Sequence, residues 1–181
     1  MNRYGFALIV EGPDLQESRH LDALHEMGCS DASVGRSAGV QYLDFDREAE
    51  TFAEAVFEAM AAVEAAVPGA QVVRLEPDDL VTAAEIAART NRTRESIRLL
   101  VSARRGPGGF PAPATHLRSR NRMWRWAAVA RWFEEALGET VPGAGLEEAR
   151  FVAACNAALE LRAQQGGLRV AERRRLQGLV S

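Results

Sequence analysis

The stretch from Val81 to Val101 constrains this chain most, because its spacing of small, polar and branched residues suits two short helices crossing through a tight turn. Thr82 and Glu85 stand at capping-box spacing: the hydroxyl can accept from the backbone N–H three residues on, and the carboxylate can reach back to the cap N–H. Ala83-Ala84-Glu85-Ile86-Ala87-Ala88-Arg89 then predicts one helix. Thr93 is a second N-cap candidate, opening a helix through Arg94-Glu95-Ser96-Ile97-Arg98-Leu99-Leu100-Val101. Helices joined this closely need a small residue on the inner face of the first, and Ala87 supplies it. Between them the backbone must turn left-handed, which glycine usually does; Asn91 tolerates that conformation better than most side chains. Ile97 and Leu100 offer branched apolar surface to pack back on the first helix.

The next forty or so positions are equally patterned. Arg104-Arg105-Gly106-Pro107-Gly108-Gly109-Phe110-Pro111-Ala112-Pro113 cannot be regular structure, since Pro and Gly break helix and strand alike. A short extended piece near Ala114–Arg118, a polar turn at Ser119-Arg120-Asn121 and the run Arg122-Met123-Trp124-Arg125-Trp126 predict a β-hairpin wing. A last helix carries Val129, Trp132, Phe133, Ala136 and Leu137 on one stripe and stops at Gly138.

That order of elements resembles the winged helix-turn-helix DNA-binding domain of the MerR and excisionase-like regulators, over residues 80–138. Asn91 stands where such motifs usually have Gly, and Ala127-Ala128 offers no cap where family members often place Ser or Asp. The resemblance implies that the second helix lies in the major groove of double-stranded DNA. Arg92, Thr93, Arg94, Ser96 and Arg98 are then expected to face the DNA, with Arg94 and Arg98 as candidates for bidentate guanine contacts. Arg104, Arg105, Arg118, Arg120 and Arg122, with Asn121 in the wing turn, are expected along the phosphates. Ile86, Ala87, Ile97, Leu100, Trp124, Val129, Trp132 and Phe133 are the expected core. A domain this small reads few base pairs, so a homodimer on a two-fold operator is expected.

Charge points the same way. Residues 81–133 hold eleven Arg (89, 92, 94, 98, 104, 105, 118, 120, 122, 125 and 131) against Glu85 and Glu95, a local net of +9. Residues 1–80 carry five Arg against sixteen acids, in a chain whose overall net charge is −3. A basic block in an acidic chain is the electrostatic footprint of phosphate binding. All 22 basic residues are Arg and none is Lys, which with abundant Ala and Gly suggests a GC-rich bacterial coding sequence.

The rest of the chain predicts an α+β protein. Residues 1–76 read as β-α-β-β-α-β, a ferredoxin-like arrangement. Its pieces are a strand at Tyr4–Val10, a helix opened by an Asp14–Glu17 capping box, strands at Ala32–Arg36 and Val40–Phe45, a helix from about Glu48, and a strand at Gln71–Leu75. This unit could serve dimerisation, small-ligand sensing or docking of a protein partner. Glu76-Pro77-Asp78-Asp79 reads as a short linker, and residues 146–180 as a C-terminal helical hairpin, Leu146 to Gln164 and Leu168 to about Leu179.

Chemistry is hard to place anywhere. His20 and His25 do not share a helix face as i, i+4 ligands do, and His116 falls in the wing. Cys29 and Cys155 have no second ligand near them in sequence and read as buried thiols in a reducing cytoplasm. The Gly106–Gly109 run lacks the strand and Lys-Ser/Thr of a nucleotide loop. No enzyme activity, cofactor or metal is expected, and no apolar run suits a membrane span or signal peptide. Two other readings stand beside the regulator: an antitoxin- or adaptor-type interaction module with autoregulatory DNA binding, and an excisionase-like architectural factor.

Overall fold

The computed structural model of the chain describes residues 1–116, 119, 121–141 and 145–179. It is a mixed α+β protein whose chain packs as two units, Met1–Leu75 with Cys155–Ser181, and Glu76–Ala154. The C-terminal helices, expected as a segment of their own, are therefore divided between the two.

In the first unit the elements run β1 (Asn2–Glu11), α1 (Ser18–Glu26), β2 (Ala32–Ser37), β3 (Val40–Ala49), α2 (Phe52–Ala66) and β4 (Gln71–Glu76). The strands form one sheet in the order β2-β3-β1-β4, with β3 antiparallel to both of its neighbours. Alternation sets the buried face: Phe6, Leu8 and Val10 of β1 stand inward across from Phe45, Leu43 and Gln41 of β3. Phe6 and Phe45 stack at 5.2 Å between centroids. Leu24 of α1 and Phe52, Val56 and Val63 of α2 complete this core.

Two expectations here are corrected. The second helix does not begin near Glu48: β3 continues to Ala49, and Thr51 caps α2 by accepting from the Glu54 N–H at 3.2 Å in a full capping box. Asp14 and Glu17 form no capping box either. Asp14 instead accepts from the Gln16 N–H at 3.0 Å, a local turn, and α1 starts at Ser18 without a side-chain cap.

The second unit holds β5 (Leu80–Thr82), α3 (Ala83–Arg89), α4 (Arg94–Val101), β6 (Met123–Arg125), α5 (Trp126–Leu137) and the start of α6 (Leu146–Gln164). Its core gathers Val81, Ile86, Ala87, Ile97, Leu100, Trp124, Trp126, Val129, Trp132 and Phe133. Every residue expected to be core is buried. The last helix, α7 (Val170–Gln177), is shorter than expected, and a single 3-10 turn at Gln165–Gly167 separates it from α6.

Cys29 and Cys155 are free and buried, as expected of them, and burial pushes both thiols above their ordinary range. Among the described residues no group of three His, Cys, Asp or Glu could hold a metal ion, and no helix is long and apolar enough to cross a membrane.

Candidate nucleic-acid interface

The candidate interface is built on α3 and α4, and both helices start where the chain itself supplies a cap. Thr82 accepts from the Glu85 N–H at 3.3 Å, and Glu85 takes the Thr82 N–H at 2.7 Å. Thr93 accepts from the Ser96 N–H at 3.1 Å. Between the helices Asn91 has φ 50°, the left-handed turn its amide side chain suits. The Arg92 N–H closes the turn on the Ala87 carbonyl at 2.8 Å. Ile97 and Leu100 bury one face of α4, which leaves Thr93, Arg94, Glu95 and Arg98 exposed on the other.

Past α4 the chain is fixed by aromatic side chains. Ala103, at φ 52°, ends the helix, and the Arg104 N–H turns back to the Leu99 carbonyl at 2.9 Å. The Trp132 indole N–H donates to the Gly108 carbonyl at 2.9 Å, and that of Trp124 to the Pro111 carbonyl at 3.0 Å. Phe110 packs edge-on against both rings, at 4.9 Å from Trp132 and 6.3 Å from Trp124. Gly106 is needed where it stands: it has φ 78°, and a Cβ there would come within 2.9 Å of Leu100 Cδ2. Indole bonds therefore order a strap too rich in Gly and Pro to order itself.

The hairpin wing takes a different form among the described residues. β6 pairs in register with β5, Val81 opposite Trp124, which sends the Trp124 ring into the core. On the Ala114 side only a single bridge joins Thr115 to Met123, with the Ala114 N–H on the Met123 carbonyl at 2.8 Å. Pro111 and Pro113 have no N–H to extend that ladder. The strand Leu80–Thr82 is not legible in the sequence, being three residues long and paired far along the chain.

The arginines divide sharply by what stands next to them. Arg92 is committed internally: its Nη2 reaches both Glu139 oxygens, at 2.7 and 2.8 Å, and its guanidinium lies over the Phe133 ring. Arg89, expected to contribute only charge, is half-buried; it lies over Trp126 and donates to the Asp78 carbonyl, and desolvation lowers its pKa. Arg125 pairs with the buried Asp79. Arg98 is exposed but held by Glu95. Arg94, Arg105 and Arg122 are exposed and have no side-chain partner among the described residues, and Arg104 and Asn121 are exposed beside them in sequence. Ser96 is half-buried. Arg118 and Arg120 lie outside the described residues.

Two acids thus matter at this surface that carry no expected role in the sequence. Glu95 is visible there as an i, i+3 partner of Arg98. Glu139 is not, because only the fold brings it to Arg92. No protein-family model matches the chain, and neither a curated protein nor a solved structure matches it.

Proposed function

We propose that the chain is a sequence-specific bacterial regulator that binds double-stranded DNA, with α4 in the major groove and basic residues beyond it on the phosphate backbone. In this reading the second unit is a winged helix-turn-helix, similar to MerR and excisionase-like domains. The first unit, with strand order β2-β3-β1-β4, is a ferredoxin-like accessory domain. Two copies on a two-fold operator complete the picture.

One observation carries the proposal. Arg94 stands unpartnered among the described residues, on the first turn of a helix whose opposite face is locked down by Ile97 and Leu100. A guanidinium so placed offers a planar donor fork to a base edge. Arg105 and Arg122, equally free among those residues, supply charge with no base to read.

Selecting duplexes from a random pool, with affinities measured across a salt series, tests this. Arg94→Ala is expected to relax preference at one base pair, a loss of ~1–3 kcal/mol in discrimination. Arg122→Ala is expected to weaken specific and random DNA alike and to flatten the salt slope by about one unit. No enrichment by the wild-type chain, or equal loss on both DNAs for Arg94→Ala, would overturn direct readout.

A further inference from the structure

Arg98 enters the exposed face of α4 with half of its donor fork already occupied. Its Nε donates to one Glu95 carboxylate oxygen at 2.8 Å and its Nη2 to the other at 2.7 Å. Those bonds use the side-on edge of the guanidinium. Its end-on edge, Nη1 with the second Nη2 hydrogen, has no partner among the described residues. Guanine shows two acceptors, O6 and N7, side by side in the major groove, a match for one such edge. Both side chains are well exposed, Arg98 at 65% and Glu95 at 59%, so the described residues leave that edge open to a ligand.

We propose that Glu95 is a positioning residue, which holds the Arg98 guanidinium so that its end-on edge reads one guanine, and that it thereby sets sequence preference at the expense of general affinity. The inference rests on the DNA reading above. A carboxylate facing a phosphate-lined groove is repelled by it, so charge alone argues against an acid at this position. What the acid offers is order. A free arginine must give up many rotamers to make a bidentate contact, whereas one already clamped gives up fewer. The clamp is charged on both sides: the Arg98 hydrogen bonds hold the Glu95 carboxyl below the usual carboxylate range, with Arg104 acting on it through space. Arg94 on the same helix has no such acid among the described residues, so the two arginines differ in kind.

The test compares full-length wild type with Glu95→Ala, Glu95→Gln, Arg98→Ala and Arg98→Lys, each selecting from a random duplex pool and each titrated against random-sequence duplex. Arg98→Ala is expected to erase one guanine from the selected motif, and Arg98→Lys to erase it too, since an ammonium lacks the fork. Glu95→Ala is expected to weaken preference at that same base pair by about two- to fivefold, the worth of an exposed ion pair. It should also bind random duplex more tightly than wild type, because a negative charge has left the groove. Glu95→Gln, which keeps an acceptor but no charge, should fall between. An unchanged motif for Glu95→Ala overturns the proposal. So does relaxation at a different base pair, which would make Glu95 a reader of cytosine N4 in its own right. A wild-type chain that enriches no sequence removes the DNA reading itself. Enrichment that Glu95→Ala leaves intact at the Arg98 base pair removes only the role of Glu95.

Discussion

Arg47 points into the first unit from near the end of β3, at a position where alternation calls for an apolar residue. It is 8% exposed, and three bonds hold it: Nε and Nη2 on the two Asp31 oxygens at 2.7 and 2.9 Å, and Nη2 on the Gly28 carbonyl at 2.8 Å. Its guanidinium also lies over the Phe45 ring. A charge taken this far from water is tolerated because the carboxylate and carbonyl beside it are fixed by the fold. The Arg47 hydrogen bonds are the largest cause holding the Asp31 carboxyl below its ordinary range. A depressed carboxylate contributes stability that is fully present above its unfolded pKa and is lost as pH falls through the folded one. Acid below about pH 4 is therefore expected to unfold the wild type in part through Asp31. Asp31→Asn should lower stability near neutrality by about 1–2 kcal/mol and flatten its decline in acid, read by urea titrations at several pH values. An Asp31→Asn protein with the wild-type pH profile would remove the pair from that account. Arg92 shows the same principle in the other unit, where Glu139 and Phe133 turn an expected DNA contact into an internal brace.

Among the elements, the α3–α4 turn shows most clearly what local sequence can specify. Thr82, Glu85, Asn91 and Thr93 each act within four residues of themselves, through caps and one left-handed backbone, so their roles can be read directly. Asn91→Val puts a β-branched side chain at φ 50°, which should cost about 1–2 kcal/mol. Trp124, Trp126 and Trp132 all lie in this unit, so a lower thermal midpoint followed by tryptophan fluorescence checks it. An unchanged midpoint would mean that the turn is not under conformational strain. Elements set by distant partners are less legible. β5 exists because Val81 meets Trp124, and neither flank announces a strand. The end of β3 imitates a helix because Asp46-Arg47-Glu48 looks like a solvated helix start; the inward arginine breaks the pattern that would mark a strand. Within the candidate site, the caps and exposed Arg94 are readable, whereas the loss of Arg92 to Glu139 is not, because only the folded chain brings together residues 47 positions apart.

At the scale of the whole molecule, the charge asymmetry read from the sequence coincides with a boundary in the chain. The basic block falls in the second unit, and the acidic first eighty residues fall almost wholly in the first. The first unit is not closed by its own first seventy-five residues. β4 is an edge strand, and an unpaired edge invites association with other chains. Side chains of α6 cover it: the Asn156 amide accepts from the Leu75 N–H at 2.8 Å and donates to the Leu75 carbonyl at 2.9 Å, as a neighbouring strand would. Further along α6, Arg162 binds the Val72 carbonyl and Glu64, while Glu64 takes the Val72 N–H at 2.9 Å. Side chains on a helix thus satisfy a sheet edge with polar contacts in place of another strand. Asn156→Ala strips both partners from Leu75 at once, in a place where Leu75 itself is fully buried. It is expected to destabilise the chain by about 1–3 kcal/mol, the penalty for unsatisfied buried polar groups. Amide exchange at Leu75 should accelerate correspondingly, while exchange at Val81 across the unit boundary serves as the internal reference. Protection at Leu75 equal to that of the wild type would show that the edge is satisfied by something other than this helix.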